Sequence, residues 1–489
     1  MGLFGAGGPD HPMAERKDAA RILAELPGQD LKALEELAHW HESAGTVPGF
    51  KAEERAQRLA MIDEAAQQRV RKLGRDYLAA TRAKTRSRVQ ENLVWSRIHE
   101  YWRQAAQAQG HCIDAILQGG KAAEKSLAPT VAAALRALAQ QLKWQHLHYT
   151  PVDAAVWGLA NRIFALAEAR GIAEATPEFL KAAMFSAASP ESLLAPDAEL
   201  AERLIAELSG GFVLSKTPAP ELPYWIDLGR AMAPARSAQA PQPAAGVRYF
   251  GPGAALGRLG QLLDATQAKG QVPAELKLGA GVDPDTLLGV MRHLALYWAP
   301  TPRERKHKRH NVKSNLKVTH GFDGVLEALG GESGSLNFGQ IDSDSWEVEN
   351  VSAGGFGARA LQAKSDWLKV GALLAAQPDG AAWMVATVRR VTKVSGQEIR
   401  IGVETLSRAP KLSDFTMRNA GPAQGVILPP PVPVPSGDAS IALRAGAYIH
   451  GENLEAKVDG QQHVFLPQGV AARGDDYEIV RFKEMIKES

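Results

Sequence analysis

Two short segments decide the fold of this chain: Arg305-Lys306-His307-Lys308-Arg309 and Asn350-Val351-Ser352-Ala353-Gly354-Gly355. The first segment lies within a basic run from Arg303 to His310. Its paired arginines suit a phosphate or a guanine edge, because each guanidinium presents a fixed set of donors and stays charged. The second segment is a polar turn with an amide, a hydroxyl and glycines that let the backbone approach a ligand. The two segments are therefore interpreted as halves of one binding site.

Composition indicates an ordinary globular protein. The chain has 489 residues, of which 45% are hydrophobic and 22% are charged, so we expect about three domains. Its 56 basic and 54 acidic residues nearly cancel, which leaves a formal net charge of +2. Any basic function must therefore come from local clustering, as in the run from Arg303 to His310.

The cellular location is predicted from cysteine content and from missing signals. Cys112 is the one cysteine of the sequence, which excludes an intramolecular disulfide and is typical of a reducing compartment. The sequence has no apolar run of about 18 residues and no signal-peptide pattern. We therefore expect a soluble, cytoplasmic protein without membrane insertion.

Helical composition dominates the first part of the chain. Residues 1–16 are rich in Gly and Pro and are expected to be flexible. Residues 17–215 are dominated by Ala, Leu, Glu, Arg and Gln, which predicts an α-helical bundle or a stack of helix pairs. A Pro-rich connector is predicted at 216–252. A helical pair is predicted at 253–299, with Asp283 capping its second helix.

Beyond the basic run, apolar and polar residues alternate, as in Trp346-Glu347-Val348-Glu349 and Glu398-Ile399-Arg400-Ile401. Short alternating segments between Gly- and Asp-rich turns predict an antiparallel β-barrel at 300–410. A Pro-rich linker is predicted at 411–436 and a small β module at 437–489. The predicted fold class is multidomain α+β: a large all-α N-terminal region, an antiparallel barrel and a small C-terminal β segment.

A second basic region extends from Arg69 to Arg88. On one helix its cations would spread around the surface, so we interpret it as a solvated face rather than a nucleic-acid site. Farther along, large apolar residues recur at spacings of three and four, which indicates helix packing: Val94, Trp95, Ile98, Tyr101 and Trp102.

Taken in order, the two signature segments resemble the PilZ domain family. That family carries R-x-x-x-R before its first strand and [D/N]-x-S-x-x-G in the turn after a later strand. Here Arg305 and Arg309 match the first motif, and Asn350, Ser352 and Gly355 match the second. The resemblance covers about residues 300–410. It implies a β-barrel that binds the bacterial second messenger cyclic di-GMP.

The resemblance also implies a role for each motif residue. Arg305 and Arg309 would hold the phosphates and a guanine edge, and their planes would stack on the bases. Asn350 would read the edge of the other guanine, Ser352 would form a hydrogen bond beside it, and Gly355 would keep the turn open. The ligand that the resemblance implies is cyclic di-GMP, and no other cofactor, metal or catalytic residue is predicted.

The segment 321–345 is longer than the family pattern requires, and its function is left open. It spells Glu327-Ala328-Leu329 and Gly330-Gly331-Glu332-Ser333, but neither continues into an enzyme motif of cyclic di-GMP turnover. The pair His146 and His148 has no partners at zinc-ligand spacing. We therefore expect a protein that is not an enzyme.

The sequence predicts a cytoplasmic bacterial cyclic di-GMP receptor. Its helical region would signal to an unidentified protein partner in motility, pilus or exopolysaccharide control, the outputs that the resemblance implies. Two alternatives stay open: a PilZ-fold interaction scaffold that does not bind nucleotide, and a nucleic-acid-binding protein that uses the basic run and the region 69–88. The sequence leaves open the partner, the number of ligand molecules, the oligomeric state and the function of 437–489.

Overall fold

A computed structural model describes residues 9–83, 87–236, 241–278, 281–301, 307–330, 343–361, 367–394, 397–431 and 438–486, without the side chains of Arg82, Ala83, Arg88 and Ala420. The chain divides near residue 303 into two compact units. The first is mainly helical and the second is mainly β. This arrangement confirms the predicted α+β class.

The first unit is built from helices that pack side by side. Their bounds are α1 Arg16–Ala24, α2 Asp30–Thr46, α3 Ala52–Ala83, α4 Arg88–Gln118, α5 Lys121–Glu124, α6 Leu127–Leu147, α7 Ala154–Ala169, α8 Ala175–Ala187, α9 Ala195–Leu208, α10 Ala254–Lys269 and α11 Pro284–Trp298. Among the described residues, no helix is both long and apolar enough to cross a membrane.

Capping and apolar spacing explain where these helices begin and what they bury. Ser87 and Gln90 form a reciprocal capping box at the start of α4, which satisfies backbone N–H groups that have no partner within the helix. The predicted cap Asp283 accepts a hydrogen bond from the backbone of Thr286 at 2.9 Å, and α11 follows it. On α4, Val94, Ile98 and Tyr101 are buried, as the spacing predicts.

The basic region 69–88 belongs to two helices rather than one, since α3 ends at Ala83 and α4 begins at Arg88. On α3, Lys72 Nζ lies 2.6 Å from Asp30 Oδ2. Arg69 Nε lies 4.0 Å from the other oxygen of the same carboxylate. These pairs within the protein agree with the interpretation of a solvated structural surface.

The segment predicted as a connector at 216–252 contains folded structure. Strands β1 (Val213–Ser215), β2 (Tyr224–Asp227), β3 (Ala235–Arg236) and β4 (Val247–Gly251) form a four-stranded antiparallel sheet in the order β1-β4-β2-β3. Trp225 and Tyr249 lie in its buried cluster. The prolines separate short strands instead of extending a linker, because the aromatic residues between them have a core to enter.

The second unit begins with the predicted antiparallel barrel. Its strands are β5 His310–His320, β6 Asp344–Ser352, β7 Gly355–Leu361, β8 Leu373–Pro378, β9 Met384–Lys393 and β10 Glu398–Ser407. They close in the order β10-β7-β6-β5-β8-β9. On β10, Ile399, Ile401 and Val403 face the interior, as the alternation predicts.

A second closed barrel follows, where the sequence predicts a linker and a small module. Its strands are β11 Lys411–Met417, β12 Ala420–Leu428, β13 Asp438–Arg444, β14 Leu454–Val458, β15 Gln461–Arg473 and β16 Tyr477–Ile486. The range 411–436 therefore holds two strands, and proline clusters only after β12. Counted within each barrel, both barrels pair strand one with two and four, three with two and six, and five with four and six. The two barrels thus share one topology.

The longer segment predicted at 321–345 begins with helix α12, Gly321–Gly330, and its residues 331–342 lie outside the described residues. Its apolar face enters a single buried cluster with Leu373 and Val385 of the first barrel and Val426 and Ile479 of the second. The helix therefore fills the space between the barrels, with Phe322, Val325, Ala328 and Leu329 on its buried face.

Polar contacts reinforce the same junction. The Tyr477 hydroxyl of β16 donates to the Gly371 carbonyl of the first barrel at 2.8 Å. At the start of α12, the Phe322 amide donates to Asp476 Oδ2 at 2.7 Å. Arg444 pairs with Asp323, and its guanidinium lies 5.6 Å from the centre of the Phe322 ring.

Phe322→Ala should destabilise the β unit, because Phe322 is 1% exposed at the junction and its removal leaves a cavity. Truncation of a buried phenylalanine costs about 3–5 kcal/mol. Thermal unfolding of the full chain should therefore show a lower transition temperature. The control is Glu327→Ala, which changes an exposed residue of the same helix. Equal melting temperatures for the two variants would contradict the packing of α12 between the two barrels.

Candidate ligand-binding turn

Hydrogen bonds from its own strands and from β10 hold the turn between β6 and β7. Ser352 pairs with Gly355 across the two strands, and the Ser352 hydroxyl donates to the Gly355 carbonyl at 3.1 Å. The Thr405 amide of β10 donates to the Gly354 carbonyl, also at 3.1 Å. The turn is therefore anchored to β10 as well as to its own strands.

Gly355 is required by the close approach of β10. A Cβ atom placed on it would overlap the carbonyl oxygen of Val403 and lie 3.1 Å from the Glu404 Cα. Because both neighbours belong to backbone, no rotamer change can make room. The motif glycine thus sets the distance between the turn and β10.

A β-bulge orients Asn350. Val348 pairs with Ala358, but Asn350 pairs with Gly357, so Glu349 is an extra residue in β6. Bulges of this kind redirect side chains beside functional sites. The Asn350 amide lies over Gly357, where a Cβ atom would come within 2.8 Å of its Nδ2. Its Oδ1 atom is buried and, among the described residues, receives no hydrogen bond.

The end of the basic segment runs beside this turn. His310 pairs with Val351, and Asn311 pairs with Asn350, so Arg309 directly precedes the first pair. Its side chain is exposed. His307 lies against the turn, with its Cδ2 atom 3.2 Å from the position of a Cβ on Gly354. The first strand thus brings this end of the basic segment to the motif turn.

Of the residues predicted for the site, Arg305 lies outside the described residues. Of the other predicted residues, Asn350, Ser352 and Gly355 lie at the paired ends of β6 and β7, and Arg309 directly precedes β5. A further arginine that the motifs do not predict also reaches the turn. Arg408 donates from Nη2 to the Ser352 carbonyl at 3.1 Å and to the Ala353 carbonyl at 3.4 Å.

The neighbouring carboxylates have partners of their own. Glu404, which pairs with Gly355 in the sheet, lies 2.5 Å from Arg389 Nε. Glu349 lies 3.8 Å from Arg400 Nε. Within the described part of the chain, none of the ion pairs involves Arg309 or Arg408. The turn therefore combines exposed positive charge with an amide and a hydroxyl, a combination that suits an anion with hydrogen-bonding bases.

The sequence of the second barrel does not repeat the motif of this turn. Its corresponding connection, between β12 and β13, reads Pro429-Pro430-Pro431-Val432-Pro433-Val434-Pro435-Ser436-Gly437. That sequence contains neither Asn nor Asp ahead of a serine at motif spacing. The candidate site is therefore assigned to the first barrel alone.

Two further observations concern the Cys112 thiol and groups of side chains that could bind a metal ion. Burial raises the pKa of the Cys112 thiol to about 12, so its nucleophilic thiolate is scarce near neutral pH. Among the described residues, no group of three or more His, Cys, Asp or Glu side chains could hold a metal ion.

Gly355→Ala should disrupt the turn, since the added methyl group would overlap the β10 backbone. Overpacking of this kind typically costs about 1–3 kcal/mol, and more where the backbone must move. The melting temperature of the full chain is the measurement. Gly421→Ala is the control, because a Cβ atom at Gly421 meets nothing within 4 Å. If the two substitutions have the same effect, the close approach at Gly355 does not constrain the turn.

Comparison with known families adds independent information about the helical unit. Residues 17–220 match a family model described as "Cyclic-di-GMP receptor FimW, N-terminal domain". A search of curated proteins finds no match. The matched segment is less than half of the chain and lies outside both barrels, so it bears on the receptor class and does not test the turn. Through residues 17–220, the chain is similar to a family of cyclic di-GMP receptors, the class that the barrel motifs also predict.

Proposed function

We propose that the chain is a cyclic di-GMP receptor that binds the nucleotide at the β6–β7 turn of a PilZ-type first barrel. The observation that carries the proposal is the geometry of the second motif. Asn350, Ser352 and Gly355 occupy one anchored turn beside Arg309, and the Oδ1 atom of Asn350 is buried without a donor in the described structure.

The chemistry of the ligand fits these groups. Cyclic di-GMP carries two phosphate charges and two guanines with planar faces. Arg309, together with Arg305, would bind phosphate and stack on a base. The Asn350 Oδ1 would accept a hydrogen bond from a guanine N–H, and the Ser352 hydroxyl would bind beside it. Gly355 would keep the turn close to β10 and leave its outer side open.

The receptor is proposed to be cytoplasmic and non-catalytic, and to act through protein contact. The match of residues 17–220 to the N-terminal domain of a cyclic di-GMP receptor family supports the receptor class, and we propose that this helical region contacts the partner. Motility, pilus or exopolysaccharide control are the outputs that we propose for it. Partner recovery on the immobilised full chain should depend on cyclic di-GMP, and Ser352→Ala should raise the cyclic di-GMP concentration that recovery requires by about 10- to 100-fold.

Isothermal titration of the full chain with cyclic di-GMP tests the proposal directly. The unmodified protein should bind, and Arg309→Ala or Ser352→Ala should weaken binding by about 10- to 100-fold, because each removes a hydrogen bond to a charged or buried group. Arg418→Ala is the control, since Arg418 is an exposed arginine in the β11–β12 turn of the second barrel.

Cyclic di-AMP separates base recognition from simple charge attraction. It has the same phosphates but lacks the guanine N–H groups that Asn350 would bind, so its affinity should be at least about tenfold lower. No heat and no thermal shift with cyclic di-GMP would favour the alternative of an interaction scaffold that does not bind the nucleotide. Equal binding of both dinucleotides and of DNA, with steep salt dependence, would favour a general polyanion site.

A further inference from the structure

Arg408 occupies the short connection between the two barrels. Strand β10 ends at Ser407 and β11 begins at Lys411. Ser407 is fully buried, and its hydroxyl accepts a hydrogen bond from the Ala409 amide at 3.3 Å. Pro410 restricts the backbone on the other side. The position of Arg408 is therefore fixed by its neighbours, while its side chain is exposed.

The Arg408 guanidinium reaches the motif turn with only part of its donors. Nη2 donates to the carbonyls of Ser352 and Ala353. A guanidinium carries five N–H donors in one plane, so donors are left for a ligand that arrives at the same turn. Because these acceptors are neutral carbonyls, the full positive charge of Arg408 stays available.

The nearest acidic residues of the sheet do not remove this charge. Glu404 on β10 is paired with Arg389, and Glu349 on β6 lies near Arg400. Within the described residues, no ion pair of Arg408 is found. Two exposed arginines, Arg309 and Arg408, thus come to the turn from the two chain segments that lead into the first strands of the two barrels.

Because the two barrels share one topology, Arg309 and Arg408 can be compared as residues in equivalent segments. The segment before strand one of the first barrel carries Arg309, and the segment before strand one of the second barrel carries Arg408. Each segment ends beside the same turn. The first leads into β5, which pairs with β6. The second follows β10, whose backbone contacts Gly355. Two separate chain segments therefore bring an arginine to this turn.

We infer that Arg408 is a further ligand-binding residue of the nucleotide site and binds a phosphate of cyclic di-GMP. This inference rests on the proposed function. Arg408 supplements the motif arginines, and because it lies in the connection to β11, phosphate binding joins the ligand to the segment that enters the second barrel.

Titration calorimetry of the full chain with cyclic di-GMP at several salt concentrations tests this role. Arg408→Ala should weaken binding by about 10- to 100-fold, as expected for loss of a charged hydrogen bond. It should also make binding less dependent on salt, since one ionic contact is lost. Arg408→Lys should retain part of the affinity and most of the salt dependence, and Arg418→Ala should match the unmodified protein. The melting temperature without ligand should not change.

Failure of the inference and failure of the proposed function are distinguishable. If the unmodified protein binds and Arg408→Ala binds equally well, Arg408 is not part of the site and the proposed function stands. If Arg408→Ala lowers the ligand-free melting temperature and leaves the salt dependence unchanged, its role is to support the turn, which overturns the inference. If the unmodified protein does not bind, the proposed function fails and the inference fails with it.

Discussion

The site depends on one backbone approach, in which Gly355 lies against the carbonyl of Val403 on β10. This contact brings β7 and β10 together beside the motif turn and so fixes the positions of Ser352 and Asn350. The bulge at Glu349 then redirects the Asn350 amide, and pairing with β5 brings the end of the basic segment alongside. Rigid backbone, rather than loop flexibility, therefore positions the polar groups, as expected for a preorganised site.

The parts of the fold and of the site that can be predicted from sequence are those set by local residue patterns. The α11 cap at Asp283, the buried stripe of α4 and the alternation of β10 follow from spacing alone, and each is present in the structure. The neighbourhood of Arg309, Asn350, Ser352 and Gly355 follows from matching both motifs in order. Arg408 could not be predicted in this way, because its contact with the turn arises only when β10 closes against β7.

Longer-range packing explains what the sequence does not reveal. The segment 411–428 has weak strand alternation and two glycines, yet it forms β11 and β12 because the second barrel supplies partners on both sides. Likewise, the proline-rich stretch around Tyr224 and Tyr249 folds because these aromatic side chains are buried. Helix α12 looks like an optional insertion in the sequence, but its apolar face belongs to the junction of two barrels, one of which the patterns did not reveal.

The closed sheets of the β unit restrict how another protein can dock on it. Each strand of the two barrels has a hydrogen-bonded neighbour on both sides. An open sheet edge would offer a row of unpaired backbone groups that could capture an extended peptide as an added strand. Along the described strands of the first barrel no such edge is left, so a protein that binds there must recognise side chains, turns or helix α12. Selectivity for a partner would then follow from surface chemistry and would be open to change by single substitutions.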